Sequence, residues 1–431
     1  MAETATTAAN RLEEANRIIG AARDLGLAHQ IAEDDFFNGR TFRLAGRDLV
    51  HFGSCSYLGL ELDPRLIEAG VDALRRYGAH FSSSRSYVSC PLYRDLEERL
   101  ERLFARPVLV TGTTTLAHLA ALPILCGPGD AVLIDQQAHA SLQLAANQLR
   151  ALGVRVEIAA HNHAERLRRQ VAGLRDRTRH IWYVGDGIYS MYGDRAPLET
   201  LLELTRSNEQ FHVYLDDAHG ISWSGKCGKG FVLDRVPDEE RWVVAVTLGK
   251  AFGAGGAALV LPNRTWQRRI QHCGGTVVFT GPVPPAMLGA AIASADIHLS
   301  GEIEVLQAKL RSRIERCNRA LCDADIPLVS HEATPVRFIA TGEPGVTQAV
   351  LSRAIERGFF LNPAVYPAVS RRRSGLRFTL TLHQREQDID ALVACLAEEL
   401  PVALAAAGSS VTELRRRFRL GAPATPASRA A

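Results

Sequence analysis

The chain has 431 residues, of which 46% are hydrophobic and 23% charged, and its formal net charge is +3 at pH 7. That length exceeds one typical hydrophobic core, so two domains, or one large domain with a smaller companion, are expected. The weak charge excludes nucleic acid as the main partner, and no run of about 18 apolar residues suggests a membrane span.

The opening "MAETATTAANRLEEANRIIGAAR" has neither the basic leader nor the apolar core of a signal peptide. It reads as a polar amphipathic helix within an N-terminal segment, residues 1–50. "PLYRDLEERLERLFA" (91–105) spaces Leu and Phe at helical intervals against Glu and Arg. Short apolar strands follow at "PVLVTG" (107–112), "AVLID" (131–135), "VRVEIAA" (154–160), "HIWYVGD" (180–186), "FHVYLDD" (211–217) and "RWVVAVT" (241–247). Helical stretches separate most of them, the first being "TTTLAHLAALPIL", which opens on hydroxyl residues. Strands alternating with helices predict an α/β domain built on a mainly parallel sheet, here residues 51–285. Near-continuous apolar strands fit burial on both faces. After "PVPPAML" (282–288) the pattern changes: one long helix over roughly 286–324, then "PVRFIA", "AVLSRAIERG" and "LRFTLTL". This predicts a smaller α+β C-terminal domain, residues 286–420. The Pro/Ala/Ser-rich end, 421–431, reads as a disordered tail. Eight cysteines are scattered without a CxxC pair, which fits free thiols in a cytoplasmic enzyme. The arginine runs at 371–377 and 414–419 read as solvated faces.

Ligands of open α/β sheets gather at the carboxyl ends of strands. Three such ends carry unusual polar groups: Asp216, Asp217 and His219 in "YLDDAHG", Thr247 and Lys250 in "AVTLGKAFG", and Asp186 and Ser190 in "YVGDGIYSMYGDRAPL". Lysine is used sparingly, only at Lys226, Lys229, Lys250 and Lys309. Lys250 lies in a Gly-rich turn between apolar runs, with no charged residue in the five positions after it. A desolvated lysine has a depressed pKa and is a competent amine nucleophile. A lysine amine, a carboxylate, a histidine and hydroxyls at a helix start are the set that pyridoxal phosphate (PLP) chemistry requires. They supply a Schiff-base anchor, a partner for the pyridine nitrogen and a phosphate cradle. "GAGG" (253–256) lacks the spacing of a dinucleotide fingerprint. "HNH" (161–163) reads as a strand end with Asn162 capping the next helix, and no metal site is expected.

From "HFGSCSYLGL" (51–60) to "TLHQREQDIDAL" (381–392), the chain resembles the α-oxoamine synthases among the fold-type-I PLP enzymes. "SMYGDRAPL", "DDAHG", "TLGKAFG" and "YPAV…LRFTLT" carry the resemblance in family order. It implies Lys250 as the Schiff-base lysine, Asp216 at the pyridine nitrogen, His219 at the phenolic oxygen and His139 stacked on the ring. Asp186 and Ser190 lie near the cofactor. Thr113, Thr114, Thr115 and Thr247 bind phosphate, and Thr280 reaches it across the interface of a homodimer. Arg377 takes the amino-acid carboxylate, with Cys55 and Ser56 also at the substrate. The implied reaction condenses a small amino acid with an acyl thioester on coenzyme A or an acyl-carrier protein, usually with loss of CO2, to an α-amino ketone. Lys250, Asp216 and Arg377 would equally serve an aminotransferase or lyase on the same scaffold. A cofactor-binding subunit without activity would not need the lysine. The chain departs from the family pattern at Cys55-Ser56 (usually Asn-Asp or Asn-Asn) and at Tyr93 (commonly His). It departs again at Thr113–Thr115 with Ala117-His118 (usually Ser-Gly-aromatic, then Ala-Asn). The departures predict an unusual acyl donor, with a carrier-protein thioester favoured by the absence of an extended basic patch.

Overall fold

Four strands with no alternation of polarity become the centre of a seven-stranded sheet, and their last residues become the candidate site. The computed structural model describes residues 2–236 and 239–421; residues 422–431, most of the expected tail, lie outside the described residues. In chain order the strands are β1 (Thr41–Leu44), β2 (Arg47–His51), β3 (Val108–Thr111), β4 (Ala131–Asp135), β5 (Arg155–Ala159), β6 (Ile181–Asp186) and β7 (Phe211–Asp216). They continue with β8 (Trp242–Thr247), β9 (Ala257–Val260), β10 (Val336–Gly342), β11 (Phe359–Phe360), β12 (Asn362–Ala364) and β13 (Ser374–Thr379). Two compact units result. One comprises residues up to Tyr57, Met191–Asp194 and the chain from Lys309; the other comprises Leu58–Ser190 and Arg195–Ala308.

The second unit holds the large sheet, in order β3-β9-β8-β7-β6-β4-β5. Strands β5, β4, β6, β7 and β8 run parallel, and β9 is antiparallel to both its neighbours, so the edge strand β3 runs in the direction of the five. Every residue of β4 and β6 is buried, as two covered faces require. The helices Thr114–Leu125 and Ala140–Ala151 pack Ala117, Ala121, Leu122, Leu142 and Ala145 onto Val132, Ile134, Val184 and Tyr214. Each fully buried leucine there contributes about 1.5–3 kcal/mol of transfer free energy. Because the central strands are parallel and in register, they present Asp135, Asp186, Asp216 and Thr247 as the last residues of β4, β6, β7 and β8. The expected single helix over 286–324 is two, Pro285–Leu299 and Ile303–Asp323, broken where Gly301 takes φ 83°.

The first unit carries two small sheets, β1-β2-β11 and β10-β13-β12. The β1–β2 hairpin turns through Ala45 and Gly46, both at positive φ (48° and 71°), as a two-residue primed turn demands. In the other sheet β13 lies between β10 and β12, antiparallel to both, and Arg377 pairs with Phe338 and Asn362. Among the described residues no single helix is long and apolar enough to cross a membrane.

Candidate active site

Lys250 sits in the turn between β8 and β9. The turn is closed by backbone bonds from Leu248 N–H to Gly256 O (2.9 Å), Ala254 N–H to Leu248 O (2.8 Å) and Gly253 N–H to Lys250 O (2.9 Å). Gly253 has φ 78°, and a Cβ there would stand 2.6 Å from that of Leu60, so only glycine fits. The half-buried Lys250 Nζ lies 2.8 Å from His219 Nε2. Lys226 and Lys309 are exposed on other elements. The isolation of Lys250 in sequence thus corresponds to a built environment with a histidine at the amine.

Asp216 is 5% exposed and held at both oxygens. Ala218 N–H donates to Oδ1 (3.0 Å), and His118 Nε2 bonds Oδ2 (2.9 Å). Burial alone would raise its pKa; the hydrogen bond and charge of His118, with Lys250 and His139, overcome that and hold it below the usual carboxylate value. The neighbouring Asp217 behaves oppositely. It is fully buried, accepts from Val232 N–H (2.9 Å), and burial above all pushes its pKa up to about 8. Asp217 lies just past the end of β7 and its carboxyl turns to the Val232 backbone, which separates a charged carboxylate at Asp216 from a neutral one at Asp217.

Asp186, at the end of β6, receives His139 N–H (3.0 Å). Burial, then the charge of Asp216, hold it well above the carboxylate range, so Asp186 keeps its proton while Asp216 is ionised. His139 caps the helix Ala140–Ala151, its Nδ1 2.7 Å from Ser141 Oγ, and burial above all lowers its pKa. Beyond Asp186, Asp135 bonds His161 Nδ1 (2.9 Å) and Tyr183 Oη (3.1 Å). Sequence reasoning missed this pair. It also misassigned the cap beside it: His163, not Asn162, caps the helix Ala164–Leu174, while Asn162 adopts φ 48° and donates to Arg195 O. Among the described residues no group of three or more potential metal ligands assembles.

Three of the remaining hydroxyls of the second unit open a helix. Thr113 caps the helix Thr114–Leu125 by accepting Leu116 N–H (3.2 Å), with Thr114 and Thr115 as its first two residues. A twelve-residue helix of this kind directs unpaired N–H groups and a positive dipole end outward. Thr247 Oγ1 accepts Gly249 N–H (3.1 Å) at the Lys250 turn. Thr280 Oγ1 donates to Thr276 O, and Ser190 is half-buried at the end of its loop. Tyr93 is committed to packing: its hydroxyl accepts Val283 N–H (2.7 Å), and Arg85 lies over its ring (3.8 Å).

The first unit brings together a different set. Arg377 is 6% exposed on β13, and its Nη2 is 3.7 Å from Cys55 Sγ. Tyr57, fully buried, shares hydrogen bonds with both; burial, then the Cys55 thiol, hold its pKa well above the usual phenol value. Ser56 N–H donates to Ser54 Oγ (3.1 Å). A buried guanidinium flanked by a thiol and a phenol is suited to a carboxylate.

The second unit's donor set fits PLP: an amine in a closed turn, a buried carboxylate held charged, and a helix N-terminus that opens on three threonines. The description of the aminotransferase class I and II family matches residues 47–395. The chain is 33% identical over 405 residues to the 8-amino-7-oxononanoate synthase of Maricaulis maris, covering 93% of this chain and 100% of that protein. It is 33% identical over 364 residues to the enzyme of the same name from Saccharophagus degradans, covering 82% and 87%. Among solved structures, a serine palmitoyltransferase from S. paucimobilis superposes with TM-score 0.83 at 20% identity, over 93% of this chain and 98% of that one. An 8-amino-7-oxononanoate synthase from Francisella tularensis superposes with TM-score 0.67 at 21% identity, over 81% and 97%.

Proposed function

We propose, from the premise that the chain belongs to the class I and II aminotransferase family and within it to the α-oxoamine synthases, that it is a PLP-dependent acyltransferase. It joins a small amino acid to an acyl thioester and releases the thiol and CO2. The observation that carries this reading is the contact of Lys250 Nζ with His219 beside an Asp216 held charged, in a chain aligned over its length with acyltransferases of this kind.

When bound, PLP supplies an electron sink for the bond that breaks at the substrate α-carbon. Lys250 provides the amine to which the cofactor attaches, and afterwards takes and returns a proton at Nζ, with His219 Nε2 as hydrogen-bond partner at 2.8 Å. Asp216 would hold a proton at the ring nitrogen, and His139 would pack against the ring. The helix start at Thr113–Thr115, with Thr247, would hold the phosphate, and Asp186 and Ser190 would contact the cofactor. Arg377, with Cys55 and Ser56, orients the amino acid by its carboxylate.

The acyl donor is carried on a protein. This rests on the departures at Cys55-Ser56 and Thr113–Thr115 from the usual family pattern. The enzyme works as a homodimer, supported by Tyr87 and Phe279, 86% and 87% exposed, beside Thr280 at a cavity of about 450 Å³. Thr280 would there reach the partner's phosphate once its hydroxyl turns from Thr276. A cytoplasmic location is supported by eight cysteines that form no disulfide among the described residues.

Purified enzyme with PLP, a panel of carboxyl-labelled amino acids and matched acyl-coenzyme A or acyl-carrier-protein donors tests the reaction. The reading requires thiol release and labelled CO2 that depend on each other. Amino-group transfer to a 2-oxo acid, without thiol release, would overturn it.

A further inference from the structure

His118 is 0% exposed in the helix Thr114–Leu125, and nothing in the reaction just described uses it. Its two ring nitrogens are both engaged, Nδ1 with Tyr214 Oη at 2.8 Å and Nε2 with Asp216 Oδ2 at 2.9 Å. Tyr214 and Asp216 are two apart on β7 and share a face, so one imidazole bridges both. An ionised carboxylate only accepts, so the proton sits on Nε2. Nδ1 pairs with the Tyr214 hydroxyl. Burial, then the charge of Asp216, hold the Tyr214 phenol well above its usual pKa, so its proton stays in place. The charged and titratable groups around Asp216 are His118 and Tyr214, Lys250 on the turn after β8, His139 after β4, Asp186 on β6 and Asp217.

We propose that Tyr214–His118–Asp216 is a hydrogen-bond chain in which His118 is a positioning residue: it fixes Asp216 as an oriented carboxylate and thereby keeps the ring nitrogen of bound PLP protonated. This rests on the functional reading above. His118 lies one turn after Thr114, about 6 Å along the helix axis. The helix whose start is assigned to the phosphate therefore also braces the carboxylate assigned to the other end of the ring. That links cofactor seating to ring charge through one rigid element.

The test uses the PLP-loaded enzyme and, in parallel, enzyme loaded with the carbocyclic analogue in which carbon replaces the ring nitrogen. His118→Phe removes the donor, His118→Gln restores one, and Tyr214→Phe removes only the hydroxyl that holds Nδ1. With PLP, His118→Phe should raise the pH midpoint of the bound cofactor's long-wavelength absorption by about one unit. It should weaken cofactor affinity about tenfold, the scale of one hydrogen bond to a charged group. His118→Gln should recover part of both, and Tyr214→Phe should shift the midpoint the same way by less. With the analogue, all four proteins should titrate alike. A PLP midpoint unchanged in His118→Phe and Tyr214→Phe overturns the proposal, as does a shift that persists with the analogue, which would mark His118 as packing alone. A wild-type chain that takes up no PLP overturns instead the reading on which the proposal rests.

Discussion

Asp217→Asn isolates the stability effect of a single buried proton. The Asp217 carboxyl is fully buried, Val232 N–H is its donor at 2.9 Å, and its pKa rises from the ordinary 3.8 to about 8. Gly187, Gly220 and Gly230 crowd it so closely that a Cβ at any of them would come within 2.5 Å of a carboxyl oxygen, so solvent cannot reach in to relieve the charge. Between about pH 4 and pH 8 the folded chain keeps a proton that the unfolded chain has released. Stability therefore falls as pH rises through that window, and the loss is complete above about pH 8. At about 1.4 kcal/mol per pH unit the full loss has a ceiling on the order of 6 kcal/mol. Asn keeps the shape and an acceptor for Val232 but has no proton to lose. At roughly 2–4 °C per kcal/mol for a unit of this size, wild type should lose on the order of 10 °C of unfolding midpoint between pH 5 and pH 9 that Asp217→Asn retains. Thermal unfolding across that range, with and without saturating PLP, reads the difference. Parallel curves for the two proteins would refute the reasoning.

The other predictions concern the chemistry. Asp216→Asn should fold and take up cofactor but lose about two orders of magnitude in kcat, the scale for removing one preorganised electrostatic contact, whereas Asp217→Asn at pH 7 should stay within a few-fold of wild type; steady-state kinetics distinguishes them. Arg377→Lys gives up the two-pronged grip on a carboxylate and should raise KM for the amino acid about ten- to a hundredfold with a smaller change in kcat. Cys55→Asn, a change beside Arg377, should alter amino-acid KM in the same assay.

The central strands were legible because burial on both faces leaves unbroken apolar runs. β4 was read at its full extent, and β6 to β8 to within a residue. Lys250, Asp216 and His219 were legible because polar groups at strand ends are costly unless used. The β1–β2 hairpin was not, because its turn is Ala45-Gly46 rather than an Asn-Gly or Asp-Gly pair. Strand β9, only Ala257–Val260, hid beside the glycines of the Lys250 turn. The long helix expected over 286–324 concealed a break that a single glycine makes. The partnerships of His118 and of His161 with Asp135 join residues 98 and 26 positions apart. Local periodicity carries no such information, although a histidine inside the apolar helix "TTLAHLAALPIL" was a visible anomaly.

Lys250 is the proposed attachment point of the cofactor. Borohydride reduction of the PLP-loaded enzyme, followed by proteolysis and mass spectrometry, locates the pyridoxyl group directly. One modified residue is expected, Lys250, with labelling abolished in Lys250→Ala; label on Lys226, Lys229 or Lys309 in its place would contradict the assignment.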